Sequence, residues 1–174
     1  LDPTAIIPTR PYDAAVNNEA TPQRVKFADV SGRLEIDTET GTLTSLTGYL
    51  NARTTDVLDA DYAYTPNGKG VNYFVSAYDK YFTQELNYAS HYEGQFNFVV
   101  GAFYTKGQGG YDPIGVQTPT FSVSIYGKQH VESLAGFGEI YYDLTDKLSA
   151  IGGLRYSWER RSLESALLFG GVAL

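Results

Sequence analysis

The chain has no cysteine and no methionine among its 174 residues, a single tryptophan and two histidines. Without cysteine there is no disulfide framework and no thiolate chemistry. Only 19% of the residues are charged, and the balance is acidic, −7 at neutral pH with a pI near 4.7. A nucleic-acid partner requires a basic stripe, so none is expected. No apolar run reaches about 18 residues, which excludes a transmembrane helix. It does not exclude transmembrane strands, each of which needs only about ten alternating residues. The chain opens on Leu1 with neither an initiator methionine nor a signal peptide, and the expectation is a fragment or a processed product.

What the sequence does contain is 18 glycines, 15 tyrosines and 9 phenylalanines, a composition that suits pleated sheet, where aromatic rings pack well. Residues 1–23, with Pro3, Pro8, Pro11 and Pro22, read as an irregular lead-in. From Arg24 onward strand signals and breaks recur in an uneven rhythm. Val30, Leu34 and Ile36 share one parity, and the Thr-rich stretch from Thr42 to Thr55 carries Leu43, Leu46, Tyr49 and Leu50 less regularly. Phe82, Leu86 and Tyr88 share a face, as do Phe96, Phe98, Val100, Ala102 and Tyr104. In the last hairpin Leu148, Ala150, Gly152, Leu154, Tyr156 and Trp158 face one way, and Ser149, Gly153, Arg155, Ser157 and Glu159 the other, with Ile151 as the exception. A period of two is strand, not helix.

Tight turns are expected at residues 38–41, 91–94 and 144–147, and long loops at residues 56–80 and 107–133. This alternation matches the short periplasmic turns and long extracellular loops of an outer-membrane barrel. Strands of roughly ten to thirteen residues suit a tilted bilayer crossing, and Tyr104, Tyr141, Tyr142, Tyr156 and Trp158 are placed to form interfacial girdles. The expected fold is all-β, an antiparallel meander of long strands over residues 24–161. It is read as part of a transmembrane β-barrel, or as reassembled into a closed or oligomeric sheet. Residues 162–174 are read as a loop or the start of a further strand. In the final hairpin, pairing Asp143 with Ser149 and Tyr141 with Ile151 places Glu139 and Arg155 on one face.

Several segments resemble successive barrel segments of TonB-dependent receptors. They are Thr44-Ser45-Leu46-Thr47-Gly48-Tyr49, Gln84-Glu85-Leu86-Asn87-Tyr88-Ala89-Ser90 and Phe98-Val99-Val100-Gly101-Ala102-Phe103-Tyr104, then Phe137-Gly138-Glu139, and Leu144-Thr145-Asp146-Lys147-Leu148 followed by Gly153-Leu154-Arg155-Tyr156. The resemblance spans roughly residues 25 to 161. It implies a parent in the cell outer membrane that imports a scarce nutrient, driven through TonB, with a 22-stranded barrel around a plug. The implied partners are the remainder of that barrel, its plug, the TonB system and outer-membrane lipid. Asn87 departs from the family, which often has a basic residue there. About six strands cannot close such a barrel, so no transport is expected of the chain alone, and its free edges favour self-association.

No chemistry-bearing set stands out. His91 and His130 are far apart and lack metal spacing, and His91 reads as a turn residue. Asp56, Asp59 and Asp61 offer oxygen ligands without the glycine and distal glutamate of a calcium loop. Glu85, Glu139 and Glu159 are candidates for a glycosidase carboxylate pair, but they fall on the polar side of alternating strands, where a barrel lumen explains them. Gly107-Gln108-Gly109-Gly110 lacks the Lys-Ser/Thr of a phosphate loop. Ser45, Ser90 and Ser149 lack a nucleophile elbow. The tyrosines are suited to stacking on sugars, although girdle and strand packing account for them. No catalytic residue, metal site or cofactor is expected, and the ligand-binding residues are unassigned. Two other readings remain open: a self-contained small β-barrel that binds an apolar or carbohydrate ligand, with hydrolase activity as a further possibility, and a self-associating β assembly.

Overall fold

The computed structural model describes residue 10 and residues 22–60 and 70–170. Among these there are six strands and no helix: β1 Gln23–Thr38, β2 Gly41–Asp59, β3 Asn72–Ser90, β4 Phe96–Gln117, β5 Ser122–Thr145 and β6 Leu148–Gly170. They form a single antiparallel sheet in sequence order, which is the expected meander. The sheet is open, because β1 pairs only with β2 and β6 only with β5.

The three short turns lie at one end, where sequence reading puts them, and hydroxyls hold two of them together. Thr38 Oγ1 accepts from the Gly41 amide at 3.1 Å, and Thr145 Oγ1 accepts from Lys147 at 3.3 Å. At the β3–β4 turn Asn97 accepts from the Tyr92 amide at 2.8 Å, while Gly94 has a φ of 153° that disfavours a side chain.

The expected long loops are corrected. Among the described residues of 56–80 most are strand, since β2 runs to Asp59 and β3 begins at Asn72. Residues 107–133 are almost wholly β4 and β5, joined by Thr118–Phe121. There Thr118 pairs its amide with the Phe121 carbonyl at 2.9 Å, and its hydroxyl accepts from the Phe121 amide at 3.0 Å. Of the expected tail, residues 162–170 continue β6 instead of beginning another element. The expected lead-in lies almost entirely outside the described residues, and the strands measure 16 to 24 residues, not ten to thirteen.

Two irregularities interrupt the ladders, a one-residue shift between Asp143 and Thr145 at the β5–β6 turn and another within β4. Past Tyr111 the register of β4 shifts by one against both β3 and β5, leaving Asp112 and Pro113 unpaired. Pro113 has no amide hydrogen to give a ladder, so a bulge is where a strand accommodates it. The final hairpin has the expected register, with Asp143 opposite Ser149, Tyr141 opposite Ile151 and Glu139 opposite Gly153.

Candidate functional site

Ladder partners point to the same side of a sheet, and successive residues to opposite sides, so the registers sort every strand residue onto one of two faces. One face holds the set Ile36, Leu43, Tyr88, Val100, Gly138 and Leu154, which are partners across all six strands. The other holds the set Glu35, Thr44, Asn87, Gly101, Phe137 and Arg155.

Packing shows which way the sheet curves. On the polar face a Cβ added to Gly101 meets the Phe137 ring at 2.4 Å, and one on Gly48 meets Thr83 Oγ1 at 2.6 Å. On the apolar face Gly32 and Gly136 have nothing within 4 Å, and Gly152 nothing nearer than 3.9 Å. Side chains crowd inside a curved sheet and splay outside it. The polar face is therefore concave and the apolar face convex. Ala135, only 1% exposed, lies on the concave side and Leu154, 81% exposed, on the convex side. An aqueous barrel has an apolar inside and a polar outside; this wall is the reverse, as a membrane barrel requires.

The convex apolar band is the right height. On β6 it runs from Leu148 to Trp158, about 33 Å at ~3.3 Å per residue, or roughly 24 Å high at the tilt of membrane strands. Tyr104, Tyr142, Tyr156 and Trp158 face outward in this band, as girdle residues should, whereas Tyr141 is corrected to the concave side. One polar notch interrupts the band. There Thr47 Oγ1 donates to Gln84 Oε1 at 2.6 Å and Gln84 Nε2 to Ser45 Oγ at 2.9 Å. Polar groups facing lipid have no water, so they satisfy one another.

The concave face at this level is a polar wall. Asn87 donates to Glu85 Oε1 at 2.9 Å, Thr42 to Asp37 at 2.8 Å, and Arg33 pairs with Glu35. Arg155 shares a face with Glu139 as expected, but the two form no ion pair. Tyr141 donates to Glu139 instead. Arg155 lies over the rings of Phe103 and Phe137, 5.8 Å from each centroid, and donates to Ser157 Oγ at 3.2 Å. Replacing Arg155 with Leu is expected to cost about 0.5–1 kcal/mol, the worth of an accessible cation–π contact. Urea unfolding of the detergent-solubilised chain measures it, and an R155L midpoint equal to the parent's would deny the contact any energy.

Above the band the polarity inverts. The concave side now carries Phe27, Tyr73, Val75, Tyr81, Tyr111, Val131 and Leu163. The convex side carries the cations Arg24, Lys26, Arg53, Lys80, Lys106, Lys128 and Arg160, seven against the four carboxylates Asp59, Asp112, Glu132 and Glu164. A chain that is acidic overall thus has a basic outer surface.

The other residues weighed from sequence do not converge. His91 is in the β3–β4 turn, and His130 is on the convex side of β5. Asp56 and Asp59 fall on opposite faces of β2, and Asp61 lies outside the described residues. Glu85, Glu139 and Glu159 all lie on the concave face. Glu85 and Glu139 are two strands and two rows apart, roughly 16 Å at ordinary sheet spacings, too far for the ~5–9.5 Å of a glycosidase pair. Ser45 and Ser90 bond within the sheet, to Gln84 and Asn97, and Ser149 donates to Asp143. Among the described residues no three His, Asp or Glu side chains gather around one point. Sequence reading missed the Phe103–Phe137–Arg155 cluster and the outward cations, whose one signal is the parity that aligns Lys106 and Arg160 with the apolar positions below them.

No curated protein matches the chain. The family model described as TonB dependent receptor-like, beta-barrel matches residues 2–169.

Proposed function

The chain belongs to the TonB-dependent receptor-like β-barrel family, and on that premise we propose that it serves as one wall of an outer-membrane receptor for a scarce nutrient, without transport activity of its own. The observation that carries this reading is the two-faced band, apolar outside and polar inside across all six strands. The open edges at β1 and β6 suit a wall completed by further barrel strands. The polar concave face suits contact with a plug. Above the bilayer, the aromatic concave surface suits a ligand on its way inward. No catalysis belongs to this role, since it needs neither a nucleophile nor a positioned acid and base.

Solution mass with and without detergent tests the reading. A convex face of this size is expected to drive association in buffer, and detergent to yield a defined, lower mass. A detergent-free monomer would overturn the membrane reading in favour of a self-contained small barrel. Assays of the same preparation against ester, glycoside and phosphate substrates test the absence of catalysis. Turnover lost on E85Q, E139Q or H91A would make the chain an enzyme.

A further inference from the structure

We propose that the convex face just above the apolar band binds the phosphate-bearing headgroup of an outer-leaflet lipid, a step that rests on the membrane reading above. A groove of about 440 Å³ opens there, with Lys26, Arg53 and Lys80 around it and Asn51 and Tyr78 between them. Lys26 is the ladder partner of Arg53, and Lys80 the partner of Asn51, so the three cations converge from three adjacent strands. Arg53 is partly matched by Asp112 at 3.5 Å, while Lys26 and Lys80 form no ion pair among the described residues.

Position names the occupant. Directly below the groove lie Val30, Tyr49 and Phe82, partners in the row that begins the lipid-facing band. An amphiphile with its acyl chains on that row and its phosphate in the groove satisfies both surfaces, whereas a free anion uses only one. A second hollow of about 160 Å³, where Lys106, His130 and Arg160 surround Glu132, extends that level across β4 to β6. From β1 to β6 the cations and the apolar band step together toward the short-turn end, as a constant height on tilted strands demands. The groove is on the side away from the three short turns, which in such barrels is the outer leaflet.

The test incorporates the full chain into phosphatidylcholine bilayers and compares spin-labelled phosphatidic acid with spin-labelled phosphatidylcholine. The immobilised fraction in the electron paramagnetic resonance spectrum gives their relative association. A preference of at least about fivefold for phosphatidic acid is expected, the worth of one basic residue near an anionic surface, falling as salt is raised. The triple variant K26Q/R53Q/K80Q should bring it close to one, while R33Q/R161Q, which removes concave cations, leaves it intact. No preference in the unaltered chain, or one that survives the triple variant, overturns the proposal. Displacement of the lipid by inorganic phosphate at constant ionic strength reassigns the groove to a free anion and also overturns it. If the chain does not enter the bilayer, the membrane reading falls as well. Should the triple variant fail to incorporate, the salt dependence of the unaltered chain decides alone: a preference unchanged by salt refutes the role of the cations.

Discussion

Replacing Leu154 with Arg is expected to lower the stability of the chain in lipid by about 2–4 kcal/mol, the cost of a guanidinium at the midplane of a barrel's outer surface. Leu154 is near the middle of the band on β6, beside Gly138, with its side chain directed outward. The control is three residues away: Ile151 points into the concave side, and Arg there meets water, so its cost should stay within about 1 kcal/mol. The sole tryptophan, Trp158, is on the same face as Leu154, and its emission reports unfolding from vesicles in urea. Equal midpoints for L154R and I151R would show that the convex face is not the lipid face. With that, the family's architecture would no longer describe this wall.

A second large loss is expected from Gly110→Ala. A Cβ at Gly110 stands 1.8 Å from the carbonyl oxygen of Gly127 and 2.8 Å from its carbon. Both are backbone atoms of the neighbouring strand, so no rotamer relieves the contact and the β4–β5 ladder beside the Asp112–Pro113 bulge must shift. Overpacking of this kind costs roughly 1–3 kcal/mol, sometimes more. Gly136→Val is the counterpart. It has open space around it on the convex face and adds a branched apolar side chain where lipid covers it, so it should be neutral or stabilising by up to about 1 kcal/mol. The two variants are compared by the same urea titration. A G110A chain as stable as the parent would mean that the two strands separate there at no cost.

Strand existence, order and facing follow from the period-two pattern, because the sheet contacts only two media and each alternate residue reports one of them. Thus the alternate residues from Phe96 to Tyr104, and those from Leu148 to Trp158, were each grouped correctly onto one shared face from sequence. Strand length was not, because above the bilayer the contrast between media disappears. Gly107, Gln108, Gly109 and Gly110 carry no apolar alternation and read as loop, yet β4 passes through them to Gln117. Thr118-Pro119-Thr120-Phe121 was absorbed into that false loop, although its hydroxyl-capped backbone is a tight turn. The loop asymmetry that suggested a barrel was therefore overstated, while the facing pattern that suggested it was sound. Which face is dry depends on curvature, a property of the packed sheet that one strand's sequence does not carry. Arg155 illustrates the same limit: its register with Glu139 was readable, but its preference for Phe103 and Phe137, which arrive from two other strands, was not.

The height of the paired wall has a kinetic consequence. From Leu134 to the turn at Thr118–Phe121, β5 continues for twelve residues beyond the band, roughly 25–30 Å of additional elevation. Were further strands to close this wall into the proposed barrel, a solute entering a chimney of that depth would move along one axis instead of wandering in three dimensions. It would strike Tyr81, Tyr111 and Val131 repeatedly before it could diffuse out. Each contact is brief, but the recollisions raise the fraction of arrivals that end in capture, and so the association rate, without a tighter binding pocket. For a molecule present at low concentration, that is the quantity that limits how much is collected per unit time.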